Sequence, residues 1–227
     1  MVYHPWVIDY DFYLVELGRD GYVVWSKTYG GRSSGSPWGE YIERNDIAHS
    51  VVQPWDWGYA VAGESNSFGA GDFDFYLVKT DEYGDMEWNK TYGGGDYDAA
   101  YSLVQTSDRG YAMAGYTNST GAGDFDFYFV KTDENGNTQW SRTYGGTDID
   151  RAYSVVQTLD GGYAIVGHTW SFGAGLMDIW LVKTDANGNM QWSRTYGGAE
   201  RDGAYSLVQT SDGGYAIAGG TLSFGAG

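Results

Sequence analysis

The chain is predicted to be all-β and built from repeats. Three observations carry that expectation. Trp88, Trp140 and Trp192 recur at a spacing of 52 residues, each followed by Thr-Tyr-Gly-Gly at 91–94, 143–146 and 195–198, and Trp25 with residues 28–31 forms a fourth copy displaced by an 11-residue insertion. Gln53, Gln105, Gln157 and Gln209 keep the same spacing. A period of this length marks one supersecondary unit that buries its faces against its neighbours. The composition agrees: 36 Gly against 3 Pro, with 21 Tyr and 10 Trp, suits short strands and tight turns. No window holds a helical period.

The copy at 150–198 reads element by element. Residues 152–158 (Ala-Tyr-Ser-Val-Val-Gln-Thr) are aromatic and β-branched, which predicts a first strand, ended by the Leu-Asp-Gly-Gly turn at 159–162. A second strand follows at 163–169, and the Ser-Phe-Gly-Ala-Gly loop at 171–175 breaks the chain. Residues 178–184 make the third strand. Residues 185–188 are a hairpin turn, whose Asn-Gly pair suits the positive φ angles that such turns need. Residues 190–196 are the fourth strand. Strand one recurs at 48–53, 100–105 and 204–209, strand two at 59–63, 111–115 and 215–219, and strand three at 73–79 and 125–131.

Four short strands joined by tight turns form an antiparallel meander of the size of a propeller blade. Strands of the third and fourth type stand at 9–15 and 22–28, ahead of the first complete copy, and strands of the first and second type stand last. The expected fold is therefore a β-propeller with four blades of four antiparallel strands per chain, the last blade closed by the N-terminal strands. It is expected as a single domain over 1–227, with blades at 46–94, 98–146, 150–198, and 202–227 together with 9–31. Shared closure removes open strand edges. Closure within one chain, as a monomer, is favoured because local partners have the higher effective concentration. A homodimer closing an eight-bladed ring and an open filament are the alternatives.

The run from Asp178 to Trp192, Asp-x-x-Leu-Val-Lys-Thr-Asp-x-x-Gly-x-x-x-Trp, resembles the blades of quinoprotein-type propellers. The fuller pattern adds Thr-Tyr-Gly-Gly, Asp-x-Ala-Tyr-Ser-x-Val-Gln-Thr and Asp-Gly-Gly-Tyr-Ala. It is similar to the repeats of archaeal and bacterial cell-surface propeller proteins. The resemblance covers nearly the whole chain. It implies an extracellular or cell-surface setting and names no activity, because propellers host many.

A net charge of −17 repels phosphate backbones, so nucleic acid is not an expected partner. There is no cysteine, hence no disulfide framework and no thiolate chemistry. Residues 1–6 show neither the basic region nor the apolar run of a signal peptide. No stretch approaches the roughly 18 apolar residues of a membrane helix, so membrane insertion is not expected.

Four aspartates precede strand one: Asp46, Asp98, Asp150 and Asp202. Fourfold repetition would set them in a ring at one mouth of the central channel, where calcium or another cation would relieve their repulsion. The alternative is that each accepts hydrogen bonds from its own loop. No other cofactor is expected. A single binding site belongs where the repeat departs from itself. One departure is the insertion, with Trp38. A second is Trp55-Asp56-Trp57, where other copies carry Ser-Asp-Arg, Leu-Asp-Gly and Ser-Asp-Gly. A third is the residue after the strand-two glycine, namely Glu64, Tyr116, His168 and Gly220, with Trp170 beside His168. Indoles near carboxylates suit stacking on sugar rings or anchoring a protein.

The expected function is thus a non-enzymatic binding or structural module that recognises a glycan or a protein through loops on one face. A carbohydrate hydrolase using loop carboxylates is a second reading. A self-assembling ring or filament subunit is a third. No catalytic motif is visible, so no catalytic residue is assigned.

Overall fold

The computed structural model describes residues 9–31, 34–35, 41–42 and 44–225. Among them there are eighteen strands and no helix. The chain divides into two compact units, Met1–Ala99 and Ala100–Gly227.

In the first unit β1 (Phe12–Leu17) and β2 (Val23–Tyr29) form a two-stranded antiparallel sheet. The insertion contains a short hairpin, β3 (Ser34–Gly35) and β4 (Tyr41–Ile42). A four-stranded sheet follows, with β5 (Asp46–Val52), β6 (Tyr59–Ser65), β7 (Asp74–Thr80) and β8 (Met86–Tyr92) side by side in chain order. Then come β9 (Asp98–Gln105), β10 (Tyr111–Thr117), β11 (Asp126–Thr132) and β12 (Thr138–Tyr144), again a four-stranded sheet. The second unit continues with β13 (Asp150–Gln157), β14 (Tyr163–Thr169), β15 (Asp178–Thr184) and β16 (Met190–Tyr196), in the same order. It ends with the two-stranded sheet of β17 (Asp202–Gln209) and β18 (Tyr215–Thr221). The repeat read from sequence is therefore a repeat of antiparallel sheets.

Burial explains why the strand sequences differ. Strands β7, β10, β11 and β14 are buried at every position, so both faces are covered and the strands read as near-continuous apolar runs. The fourth strands, β8, β12 and β16, are exposed or half-buried at nearly every position and carry Asn, Lys, Gln, Ser and Arg. One core in the first unit gathers Phe12, Leu14, Tyr29, Val61, Tyr76 and Val78. In the second unit Phe127, Phe129, Tyr163, Ile165, Trp180 and Val182 belong to another. Each such side chain contributes about 1.5–3 kcal/mol when fully buried.

Successive sheets are tied by backbone. Asp46 N–H donates to Tyr10 O (2.6 Å), Asp98 N–H to Phe73 O (2.7 Å), Asp150 N–H to Phe125 O (2.5 Å) and Asp202 N–H to Met177 O (2.7 Å). A bulge marks the first strand of three copies. The pairing Ala152↔Gly167 is followed by Ser154↔Val166, which leaves Tyr153 as the extra residue; His49 and Tyr205 are skipped in the same way. A bulge re-aims the side chain it carries. It brings Tyr153 against Tyr101 and Tyr205, with ring centroids 5.1 and 5.3 Å apart. The glycine opposite is required by this close approach, since a Cβ on Gly167 would lie 1.9 Å from Arg151 O.

Residues 185–188 make the expected hairpin turn between β15 and β16. Only Gly188 is left-handed (φ 74°), Asp185 N–H reaches Asn189 O, and the register shifts between Lys183 and Thr184. The cause is Asp185, whose Oδ1 accepts from the N–H groups of Asn187 (2.9 Å) and Asn189 (2.8 Å). An aspartate that caps its own loop favours a longer, bulged hairpin.

Candidate binding sites

In the first unit the Trp55-Asp56-Trp57 turn links β5 to β6. Trp55 is 78% exposed and Trp57 71%. Trp57 has φ 69°, the left-handed conformation that Gly161 (82°) and Gly213 (88°) supply in other copies and that Arg109 (71°) also adopts. A bulky residue there is a steric outlier. The turn tolerates it because it is held from all sides. Trp57 N–H donates to Pro54 O (3.1 Å), and Gln53 Nε2 donates to Trp57 O (3.1 Å). Asp56 Oδ1 accepts from Gly58 N–H (3.1 Å), and its Oδ2 lies 2.8 Å from the buried Lys79 Nζ.

The Asp56–Lys79 pair is a repeated device. Asp108 pairs with Lys131, and Asp160 with Lys183, each at 2.8 Å. Each lysine also donates to the carbonyl of the following threonine. Asp56 therefore positions the turn, and the two indoles are what the turn presents.

Three of the residues after the strand-two glycine, Glu64, Tyr116 and His168, lie inside strands and are buried rather than on a loop surface. Glu64 accepts from Tyr97 Oη (2.6 Å) and has His49 Nε2 at 3.8 Å. In the second unit the Tyr116 hydroxyl meets that of Tyr101 (3.2 Å). The guanidinium of Arg151 lies 4.8 Å over the Tyr116 ring and 4.6 Å over Phe125. His168 is 6% exposed, packs against Tyr153 and stands edge-on to Trp170 with centroids 4.9 Å apart. Burial, and then the Arg151 charge, push His168 down to about 4, so it is neutral at physiological pH. Gly220 is exposed. Trp38 lies outside the described residues.

The four aspartates before strand one serve their own loops. Asp46 Oδ2 accepts from Gly31 N–H and Ser67 Oγ, Asp98 Oδ2 from Gly94 N–H, Asp150 Oδ2 from Gly146 N–H and Ser171 Oγ, and Asp202 Oδ2 from Gly198 N–H and Ser223 Oγ. One oxygen of each carboxylate expected in the cation ring is thus engaged in loop closure, while the buried Oδ1 atoms of Asp46 and Asp150 have no hydrogen-bond partner among the described residues. Among the described residues no three acidic or histidine side chains come together as a metal site.

A second set of aspartates, Asp74, Asp126 and Asp178, escaped the sequence reading. Asp126 Oδ2 accepts from Ala122 N–H (2.5 Å), and Asp74 and Asp178 hold their loops in the same way. Gly145 is where two carboxylates approach each other: a Cβ there would lie 1.6 Å from Asp126 Oδ1 and 2.9 Å from Asp150 Oδ2. Burial, with the neighbouring Asp150 charge, raises the Asp126 carboxyl above its usual range. The Asp-x-Asp spacing at 124–126 and 148–150 was the signal available in the sequence.

Three concavities lie among the described residues of the second unit, one of them, of about 380 Å³, lined by Ile179, Leu181, Tyr196, Tyr215 and Ile217. Another, of about 270 Å³, is lined by Asp124, Asp148, Ile149 and Trp170. The third, of about 650 Å³, runs along Tyr144, Phe172, Trp180, Met190 and Arg194. Tyr144 and Trp180 are themselves buried there, which makes this groove a packing seam between repeats.

No protein-family model and no curated protein matches the chain. Among solved structures it is similar to a protein of unknown function from Bacteroides caccae, with a TM-score of 0.50 and 13% identity over 92% of this chain. It is also matched to Sqt1 from Chaetomium thermophilum, with a TM-score of 0.40 and 14% identity over 74% of this chain. The chain spans 65% of the first of these proteins and 39% of the second. The first likeness concerns fold alone.

Proposed function

We propose that this chain is a non-enzymatic binding module that recognises a glycan through the indoles of Trp55 and Trp57. The observation that carries the reading is Trp57 itself: an exposed indole kept in a left-handed conformation that glycine supplies in two of the other copies. Strain retained at an exposed position points to use. Two indoles on a turn pinned by Asp56 and Lys79 offer flat apolar faces at little ordering cost, which suits stacking on sugar rings. The fold proposed to carry them is a β-propeller at a cell surface, with the repeated sheets as its blades.

A glycan array probed with the intact chain tests this. Binding to one sugar class, weakened about tenfold or more by Trp55→Ala or Trp57→Ala, is the expected result, as for loss of a central aromatic anchor. A blank array, or binding indifferent to both substitutions, overturns it. Turnover of a bound polysaccharide would replace the module with a hydrolase.

One further observation favours assembly as a second reading. Tyr13 in β1 is 61% exposed, whereas its counterparts Tyr76, Tyr128 and Trp180 are buried, and β18 is exposed along most of its length. These are surfaces on which another sheet could pair. Light scattering separates the readings: a mass near 25.0 kDa at all concentrations removes assembly, and a multiple of it supports assembly.

A further inference from the structure

The cleft of about 270 Å³ in the second unit differs from the Trp55–Trp57 turn in shape and charge. Three loops build it. Asp124 precedes β11, Asp148 and Ile149 precede β13, and Trp170 follows β14. The loops are fastened to one another: Trp170 N–H donates to Ile149 O (2.9 Å), and Asp148 N–H to Ser171 Oγ (3.1 Å). Ser171 Oγ donates in turn to the buried Asp150 (2.7 Å). Gly123 allows the first two loops to touch, since a Cβ there would lie 2.5 Å from the Thr147 carbonyl. The cleft is therefore formed before any ligand arrives.

Its lining is chemically one-sided. The indole of Trp170 is fixed edge-on against His168, and Ile149 adds an apolar wall. The only charged side chains lining it are the carboxylates of Asp124 and Asp148, and neither has a cationic partner among the described residues. Arg151 lies over the rings of Tyr116 and Phe125 and pairs with neither. Behind the indole, His168 has both ring nitrogens unpartnered and carries no charge at neutral pH. The same places in the next repeat are Leu176, Glu200, Arg201 and Leu222, so this combination is not a repeat feature.

We propose that this cleft binds a quaternary ammonium group, with Trp170 beneath the cation and Asp124 and Asp148 beside it. The face of an indole attracts a cation through its quadrupole. Two carboxylates add attraction that a neutral sugar could not use and an acidic one would oppose. Ile149 and the indole offer no hydrogen-bond acceptor, so a methylated head, which has no N–H to satisfy, loses nothing by facing them. A volume just under the roughly 300–1,000 Å³ of small-ligand pockets suits a head group more than an oligosaccharide.

Calorimetric titration of the intact chain with choline, and with its uncharged isostere 3,3-dimethylbutanol, tests the proposal. Choline is expected to bind at least ~5-fold more tightly, given the strength of cation–π contacts. Trp170→Leu should cost about 5-fold or more. Asp124→Asn and Asp148→Asn should each cost about 2–5-fold, and added salt should weaken binding. A trimethyllysine peptide in a second titration separates a free metabolite from a modified partner: the tighter of the two identifies the source. Equal affinity for choline and the isostere, no binding of any of the three, or indifference to all three substitutions overturns the proposal. Trp57→Ala must leave choline binding unchanged, so failure here is distinct from failure of the glycan reading.

Discussion

Replacing Trp57 by glycine and by alanine should give two variants that differ in stability and agree in losing the ligand. Both variants lose the indole. Less than a third of that side chain is buried, which on 150–250 Å² and ~25 cal/mol per Å² is worth about 1–2 kcal/mol to each variant alike. They differ in the backbone. At φ 69° alanine retains a left-handed penalty of ~1–2 kcal/mol that glycine lacks. Glycine gives back ~0.4–1 kcal/mol through the greater freedom of its unfolded chain. The balance leaves Trp57→Gly about 1 kcal/mol more stable than Trp57→Ala, or roughly 2–4 °C in Tm for a chain of this size. Urea melts of the two variants side by side measure it, with Leu159→Ala as an exposed control in an unstrained turn position. Alanine as stable as glycine would refute the claim that this turn stores strain. Glycan binding retained by the glycine variant would refute the claim that the strain serves recognition.

The Asp–Lys staple makes a second prediction. Asp160→Ala strands the buried Lys183 and should destabilise by about 1–3 kcal/mol, while Lys183→Met should cost less; chemical denaturation of both variants checks the order. The staple also sets a pH window. The Lys183 hydrogen bond holds the Asp160 carboxyl down at about 2, so the stability it adds is complete above the ordinary aspartate range and is lost as pH falls through about 2. Asp160→Asn should flatten the stability profile between those limits. Asp126 has the opposite sign. Its raised carboxyl means a penalty that grows as pH rises through the usual range and is complete above the folded value. Asp126→Asn keeps an acceptor for Ala122 N–H and should raise the melting temperature at pH 7 but not at pH 3. Gly145→Ala should prevent folding, because its Cβ has no room beside Asp126 Oδ1, and loss of soluble expression would show it.

Much of the fold was legible because a repeat tests its own reading. Strands at 163–169, 178–184 and 190–196 match β14, β15 and β16 residue for residue. Alternation failed to mark β11 only because both its faces are covered, yet its bulk of Phe, Tyr and Val still read as strand. The hairpin at 185–188 is legible from its Asn-Gly pair, whereas its length is set by the side chain of Asp185, which accepts from Asn187 and Asn189. The sites were less legible. The residues 64, 116 and 168 vary freely along the sequence, but variation at a strand position reports a change of packing partner as readily as an exposed surface. Asp124 and Asp148 were invisible as a pair because 24 residues separate them and only the loop contacts of Gly123 and Ser171 bring them to one cleft.

Repetition also decides which residues are free to carry function. Asp150 must close its loop, Lys183 must hold Asp160, Gly167 must admit the Arg151 carbonyl, and Tyr153 must meet its two neighbours. A change at any of these propagates to the adjoining sheet, so each copy keeps nearly the same residue. Among the positions released from that constraint are two outside the strands: the turn position after the stapling aspartate, where the copies carry Trp57, Arg109, Gly161 and Gly213, and the position after β6, β10, β14 and β18, where they carry Asn66, Asn118, Trp170 and Leu222. Both proposed sites use one of these two positions, and in both the side chain that departs from its equivalents is an indole. An indole is costly to leave in water and gains most when a flat or cationic partner covers it. If the two positions had merely drifted, the Arg, Gly, Asn or Leu of the other copies would serve there as well. Trp57→Arg and Trp170→Asn, which install the residue types that Arg109 and Asn118 supply one copy away, should therefore leave folding intact and remove one binding activity at a time.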